Sequence, residues 1–315
     1  MTSPPSSIPD LRVLSLVTNH RARFYRQQVD RLRGRGVGVD VLTVPDGDGG
    51  RRGPRDYARF YVAALRASRG AYDLVHANYG LSAPPAVAQW CHPTVVSLWG
   101  SDLLGTYGPV GRLSARLADE VIVMSPEMAA ELGGDPHVIA HGVDSERFRP
   151  EPQADCQAAL GWSPAAAHVL FPYPPTRDVK DYPRAERLVA AAEDRLDGPV
   201  ELHTVSGVDH DEMYRYMNAA DVLLLTSRRE GSPNSVKEAM ACNLPVVATD
   251  VGDVADRLAD VKPSAVHTND DALVDGLVEI LRRGERSDGR TAIDEISLAG
   301  QIDRLVGVYR RACDD

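Results

Sequence analysis

The sequence predicts an α/β protein with two domains, each built on a parallel β-sheet. Short apolar runs alternate with helical patterns along almost the whole chain, which is typical of parallel strands joined by helices. At 315 residues the chain is long enough for two domains of ordinary size. A polar segment flanked by prolines, residues 149–153, lies near the middle. We therefore expect a first domain over residues 1–150 and a second over residues 151–296, followed by a terminal helix within residues 297–315.

The first half of the chain contains six predicted strands and five predicted helices. Each strand is a short, largely apolar run of the kind that is buried in a sheet. The strands are predicted at residues 11–17, 37–44, 72–76, 94–99, 120–124 and 137–140. The helices are predicted at residues 21–33, 57–68, 84–89, 110–117 and 126–132.

The second half also alternates predicted strands with predicted helices, and the sequence contains no repeat of the solenoid type. Its strands are predicted at residues 167–172, 200–205, 222–226, 245–249 and 264–267. Its helices are predicted at residues 184–195, 211–219, 233–241, 254–259 and 270–283, and the tail at 298–311 is also helical.

Composition and charge narrow the class of protein. The net charge is −10, from 35 basic and 45 acidic residues, which argues against non-specific binding of nucleic acid. No apolar stretch approaches the roughly 20 residues that a membrane-spanning helix needs. The four cysteines are scattered without a metal-binding or disulfide-like spacing, and the first residues lack the features of a signal peptide. We expect a cytoplasmic protein.

Residues 227–253 carry the most chemical information. A buried strand leads into a loop, and Ser232 and Pro233 are predicted as the N-cap and first position of the next helix. Free backbone amides at a helix start bind anions. The predicted anion-binding segment is Gly231, Ser232, Pro233, Asn234 and Ser235, in which every residue except Pro233 has an N–H. Glu230 precedes the helix and Glu238 lies about one and a half turns into it, so that both carboxylates could accept sugar hydroxyls beside a bound phosphate. The alternative is an ordinary loop acid and a solvated helix residue near a positive helix end.

The complete stretch resembles the signature of the family 4 glycosyltransferases, which have the GT-B fold. The matching pieces are Glu230-Gly-Ser-Pro, Glu238-Ala-Met-Ala and Pro245-Val-Val, followed by a turn that contains glycine. A second resemblance is His141-Gly-Val-Asp with Phe148 and Pro150, where family members pass from the first domain to the second. Asn243 stands where most relatives have glycine, and asparagine also tolerates the left-handed conformation that ends a helix.

The resemblance implies two Rossmann-like domains with an active site in a cleft between them, and a terminal helix that returns to the first domain. It implies a nucleoside-diphosphate sugar as co-substrate, a glycan or lipid-linked acceptor, and transfer with retention of anomeric configuration. No essential metal or other cofactor is expected. Glu238 would bind ribose hydroxyls and Glu230 sugar hydroxyls, while Arg177 and Lys180 would bind the diphosphate. The alternative for this last pair is two solvated loop cations.

The first domain is expected to supply the sugar or acceptor side of the site. Relatives often have a histidine where this chain has Trp99, which suggests an apolar or stacking wall instead. Asp102 could bind a hydroxyl or cap the following helix. His20 and Asn78 follow predicted strands and are further candidates.

Several other interpretations stay open. A GT-B nucleotide-sugar epimerase would share the donor pocket, and an inactive homologue could keep the fold without the chemistry. A nicotinamide-dependent enzyme is disfavoured, because no GxGxxG follows the first strand. Asp46-Gly-Asp48 has the form of a metal-binding motif but lies in a hydrophilic loop, and Asp209-His-Asp211 is better explained as a helix cap. Peripheral association with a membrane is an expectation by analogy with relatives.

Overall fold

The computed structural model describes residues 11–46, 52–293 and 296–314, which form two compact units. The first unit comprises residues up to Ala140 together with those from Gln301 onward, and the second comprises His141–Gly300. The first unit thus ends at Ala140, whereas the sequence placed the boundary at residue 150. Each unit has one sheet whose described strand pairs are all parallel. These two α/β units confirm the predicted fold class.

The first unit contains a six-stranded sheet in the order β2-β1-β3-β4-β5-β6. Its strands are β1 (Arg12–Val17), β2 (Gly38–Thr43), β3 (Leu74–Ala77), β4 (Thr94–Leu98), β5 (Glu120–Val123) and β6 (His137–Val138). Its helices are α1 (Arg23–Gly34), α2 (Pro54–Ala67), α3 (Ala83–Ala88), α4 (Gly108–Leu117) and α5 (Pro126–Leu132).

The second unit contains a five-stranded sheet in the order β11-β10-β9-β7-β8. Its strands are β7 (Ala167–Phe171), β8 (Val200–Thr204), β9 (Val222–Leu225), β10 (Val246–Thr249) and β11 (Ser264–His267). Its helices are α6 (Gln153–Leu160), α7 (Tyr182–Glu193), α8 (Met213–Ala219), α9 (Asn234–Ala241), α10 (Val254–Leu258) and α11 (Asp270–Arg283).

Helix α12 (Leu298–Asp314) closes the core of the first unit. Its residues Ile302, Leu305 and Tyr309 are buried in the same hydrophobic cluster as the strands of that unit. The Tyr309 hydroxyl lies 2.7 Å from Nδ1 of His76 on β3, and Nε2 of His76 lies 2.8 Å from the Ser97 hydroxyl on β4. Burial lowers the pKa of His76 to about 3, so this imidazole is neutral inside the core. From Gln301 onward, the last helix is therefore an integral part of the first unit.

The strands end within two residues of their predicted limits, but one helix was missed. Helix α6 follows the predicted linker at residues 149–153, in a stretch where we predicted no element, and its sole buried residue is Cys156. The helix is attached by side-chain amides instead: Gln153 and Gln157 donate to the Ala219 carbonyl at 3.2 and 3.0 Å. Such polar attachment leaves no apolar periodicity in the sequence.

Over the described ranges, the structure has no helix with both the length and the apolar character needed to cross a bilayer.

Candidate active site

The carboxyl end of the second sheet gathers the loops that precede and follow α9. The Gly231 carbonyl accepts the amide of Asp253 at 3.0 Å, which ties the loop after β9 to the loop after β10. Gly252 makes this approach possible, because a Cβ there would lie 2.2 Å from the Gly231 oxygen and 2.9 Å from the Glu230 oxygen. Gly252 also has φ +59°, a conformation that glycine adopts without strain. The glycine turn therefore fixes the backbone that carries Glu230.

Lys180 and Glu230 form an ion pair at this edge of the sheet. Lys180 is 4% exposed, and its ammonium lies 3.6 Å from the centre of the Tyr173 ring. Burial lowers the pKa of Lys180, while the Glu230 carboxylate opposes that shift. The ring face of Tyr173 adds a cation–π contact that also favours the charged amine. A buried cation is thus held in place by one carboxylate and one aromatic ring.

Tyr173 is the centre of the cluster, and the sequence analysis missed it. Its hydroxyl hydrogen-bonds with Ser235 on α9. Burial is the main reason that its pKa is raised far above 10; Glu230 and Glu238 raise it further, whereas Arg177 lowers it. One phenol therefore lies within electrostatic reach of both glutamates and of the predicted phosphate-binding arginine. The only sequence signal for Tyr173 was an aromatic residue between a strand end and two cations.

Glu238 lies in the second turn of α9 and is largely buried, with 8% of the residue exposed. Its carboxylate lies 2.8 Å from Nε2 of His210. The His210 ring meets the Phe148 ring edge-on, with centroids 5.4 Å apart. Glu238 is consequently oriented by a histidine from the turn before α8, and is not the solvated helix residue that the alternative reading proposed.

The start of α9 differs from the prediction by one residue. Pro233 is the cap residue and Asn234 is the first helical residue, so the expectation that Ser232 caps the helix was wrong. The backbone of Pro233 is extended (φ −69°, ψ 122°), and among the described residues no side chain caps this helix start. Within the described ranges, the buried Ser232 hydroxyl has no hydrogen-bond partner. An unsatisfied hydroxyl beside free helical amides is suited to a ligand oxygen.

The two predicted phosphate-binding cations have different environments. Lys180 is buried, as described above, whereas Arg177 is exposed in the loop between β7 and α7. The Arg177 charge lowers the pKa of Lys180, so the two cations are close enough to repel each other. An anion bound between them would relieve that repulsion.

Trp99 and Asp102 lie after β4 in the first unit. The Trp99 ring packs against Phe24 with centroids 4.5 Å apart. The Asp102 carboxylate is fully buried and accepts three backbone amides, from Gly80, Trp99 and Gly100, at 2.8, 2.7 and 3.0 Å. Asp102 therefore holds two loops together, and α4 begins only at Gly108, so it caps no following helix.

Asn78 and His20 were the other candidates on the first unit. Asn78 is buried, accepts a hydrogen bond from Gln28 at 2.9 Å and donates to Ser15 at 2.9 Å. His20 is half-buried, with Nδ1 3.4 Å from the Thr43 hydroxyl. Of the four candidates, Asn78 and Asp102 are thus committed to internal hydrogen bonds, and Trp99 and His20 are partly exposed.

The two Asp-x-Asp motifs that resemble metal sites make ordinary ion pairs and hydrogen bonds in the part of the chain that the structure describes. Asp46 pairs with Arg21 and Arg52, each at 3.1 Å, while Asp48 lies outside the described residues. The Asp209 carboxylate accepts the amide of Asp211 at 3.0 Å and so caps the turn before α8, as predicted.

Each of the two units matches a known protein family. Residues 11–139 match the family described as "Glycosyl transferase 4-like domain", and residues 180–283 match "Glycosyl transferases group 1". The two matches cover the body of each unit. The chain belongs to the family 4 glycosyltransferases. It is a transferase with the GT-B fold, which confirms the family resemblance of the sequence.

Curated relatives of this glycosyltransferase are similar over most of its length. D-inositol 3-phosphate glycosyltransferase of Mycolicibacterium gilvum is 27% identical over 318 residues, covering 83% of this chain and 72% of the relative. A putative teichuronic acid biosynthesis glycosyltransferase of Bacillus subtilis is 28% identical over 211 residues, covering 58% of this chain and 54% of the relative.

Solved structures support the GT-B fold. Sucrose-phosphate synthase from Thermosynechococcus elongatus has a TM-score of 0.73 at 20% identity, over 95% of this chain and 98% of that one. Anabaena HepE, in complex with UDP and glucose, has a TM-score of 0.65 at 17% identity, over 94% of this chain and 98% of that one.

Proposed function

We propose that this glycosyltransferase binds a nucleoside-diphosphate sugar on its second unit and transfers the sugar, with retention, to a hydroxyl of a glycan or lipid-linked acceptor. The supporting observation is the cluster around Tyr173. It combines two carboxylates, two cations and the start of α9 at the carboxyl end of one parallel sheet. In doubly wound sheets that edge is where nucleotides bind.

Each part of the cluster has the chemistry for one part of the donor. Glu238, oriented by His210, would accept the two ribose hydroxyls, because one carboxylate can accept both hydrogens. Glu230 would accept a hydroxyl of the transferred sugar. The free amides at the start of α9 and the Ser232 hydroxyl would bind phosphate oxygens.

The leaving diphosphate gains negative charge as the bond to the sugar breaks. Lys180 and Arg177 would stabilise that charge, and the buried position of Lys180 strengthens the interaction relative to water. Glu230 keeps Lys180 positioned before the donor arrives. Among the side chains of this cluster no further group is arranged as a base, and we propose that the leaving phosphate accepts the proton of the acceptor hydroxyl.

The test is a transfer assay with a panel of UDP-, GDP- and ADP-sugars. The acceptors would include lipid-linked glycans in vesicles and an inositol phosphate, since the mycobacterial-type relative is named for that acceptor. We expect release of nucleoside diphosphate that depends on the acceptor, and a product whose anomeric proton coupling matches that of the donor. Glu230→Gln should lower kcat/KM at least about 10-fold, because it removes a charge-assisted hydrogen bond.

The matched control is Glu279→Gln, which changes an exposed glutamate on α11 in the same unit. It should leave transfer unchanged. Equal rates for Glu230→Gln and wild type would contradict the proposed role of Glu230, and inverted product stereochemistry would contradict retention.

A further inference from the structure

A cluster of two histidines and one glutamate lies at the open edge of the second sheet, on β7 and β8. His168 pairs in register with Glu201, and His203 lies two residues further along β8 on the same face. His168 lies near the amino end of β7, whereas the proposed donor cluster lies beyond the carboxyl end of that strand. The proposed glycosyl transfer does not use these three side chains.

The three ligand atoms are close together. Nδ1 of His168 lies 2.9 Å from Nε2 of His203, and Oε2 of Glu201 lies 3.7 and 3.4 Å from these two nitrogens. A tetrahedral zinc ion with bonds of about 2.0–2.1 Å separates its ligands by about 3.4 Å. Both distances to Glu201 are already near that value, and the two nitrogens would separate by about 0.5 Å to reach it.

A backbone carbonyl fixes which ring nitrogen of His168 faces the cluster. His168 is completely buried, and its Nε2 lies 2.9 Å from the Ser163 carbonyl, which can only accept. Nε2 therefore donates to this carbonyl, and Nδ1 is the nitrogen that faces Glu201 and His203. A backbone carbonyl behind a histidine is the usual support of a metal ligand.

His203 is also fixed in orientation. The Trp162 ring stacks on it with centroids 3.6 Å apart and an angle of 10° between the planes. Glu201 is about half exposed, so an ion and its bound water can reach the cluster from solvent.

We propose that His168, Glu201 and His203 bind a divalent transition-metal ion of the zinc class, with water completing the coordination. The ion would join the edge strand β8 to its single neighbour β7. Two imidazoles and one carboxylate suit zinc and cobalt better than magnesium or calcium, which prefer oxygen ligands. The site would be structural and separate from sugar transfer.

The experiment titrates the full-length protein, without a histidine tag and after treatment with EDTA, with Zn²⁺ by calorimetry and with Co²⁺ by visible absorption. We expect one ion per chain, Co²⁺ bands of low-symmetry four- or five-coordination, and a rise in Tm with added Zn²⁺, because the ion binds only the folded cluster. His203→Gln should abolish binding. Glu201→Gln should weaken it at least about 10-fold.

His267→Gln is the matched control, because His267 is exposed on β11, the strand at the other edge of the same sheet. It should bind Zn²⁺ as the wild type does. Circular dichroism in EDTA checks that the variants fold. Because Glu201 is more exposed than His203, Glu201→Gln is less disruptive to folding than His203→Gln. Absence of stoichiometric Zn²⁺ binding by the wild type, or an affinity that Glu201→Gln leaves within about twofold, would overturn the proposal.

Discussion

At the scale of single residues, Lys237 shows how closely α9 is tied to the segment where the second unit begins. Its side chain is almost completely buried, and its ammonium donates to the His141 carbonyl at 2.6 Å. Burial lowers the pKa of Lys237 to about 8, while Asp253 opposes the shift. The neighbouring Glu238 belongs to the proposed donor site, so Lys237 connects that site to the first residue of the unit.

This lowered pKa predicts a stability change in alkaline solution. Between about pH 8 and the usual value of 10.5, the unfolded chain holds a proton on Lys237 that the folded protein has released. Stability therefore rises with pH across this window, by up to about 1.4 kcal/mol per pH unit. We expect the urea midpoint of the wild type to increase from pH 7.5 to 9.5 relative to that of Lys237→Met.

The matched control is Lys262→Met, which removes an exposed lysine. Its midpoint should follow the wild type at both pH values. If Lys237→Met also follows the wild type, Lys237 keeps an ordinary pKa in the folded protein, which would contradict this prediction.

Residue identities in the donor cluster were largely predictable, and their contacts were not. The glutamates could be selected because a local motif spans them, and Arg177 and Lys180 because the resemblance places two cations after the first strand of the second half. The Lys180–Glu230 pair joins residues 50 positions apart, and Tyr173 meets Ser235 across 62 positions. Such pairings depend on which strand ends are adjacent in the sheet, and one sequence without an assembled fold does not specify that.

At the scale of elements, the glycine turn after β10 determines where the Glu230 loop lies. Gly252→Ala would place a methyl group 2.2 Å from the Gly231 oxygen, so one of the two loops must move. We expect lower thermal stability and a loss of activity beyond what the stability loss explains, because Glu230 moves with its loop. Unfolding temperature and kcat/KM measured on the same preparation check this.

Gly284→Ala is the control for Gly252→Ala, because it adds the strain of a left-handed backbone without the steric contact. Gly284 has φ +62°, close to that of Gly252, but a Cβ there would meet nothing within 4 Å. It should cost about 1–2 kcal/mol for the left-handed conformation and leave kcat/KM unchanged. Equal effects of the two substitutions on activity would show that the contact with Gly231 is irrelevant to the site.

Helices and strands could be predicted from the sequence where apolar periodicity was strong. The prediction failed where that periodicity was absent. Helix α11 was predicted with its observed limits, because buried leucines and valines repeat along it and Asn269 caps it. The left-handed conformation expected of Asn243 is confirmed by its φ of 53°. Helix α6 was missed because its attachment to the end of α8 runs through glutamine side chains.

At the scale of the whole molecule, the first unit is completed by the end of the chain. Tyr309 on α12 and His76 on β3 form a buried hydrogen bond across 233 positions of sequence. Tyr309→Phe would leave Nδ1 of His76 without its partner in the core. We expect a loss of about 1–3 kcal/mol in the stability of the first unit, measured by urea unfolding.

Tyr107→Phe is the control, because Tyr107 is 52% exposed and its hydroxyl can bond with water. It should change stability by less than about 0.5 kcal/mol. If Tyr309→Phe is equally mild, the terminal helix is held by its apolar face alone.

The central claim is that the cluster around Tyr173 binds a nucleoside-diphosphate sugar, and direct binding is its most direct test. Calorimetric titration of the wild type with the UDP-, GDP- and ADP-sugar panel should find a donor that binds one per chain. Lys180→Met and Glu238→Gln should each raise the Kd of that donor at least about 10-fold, as expected for the loss of a charge-assisted contact. The control Glu279→Gln should leave the Kd unchanged. Binding that is equally tight in all four proteins would contradict the account.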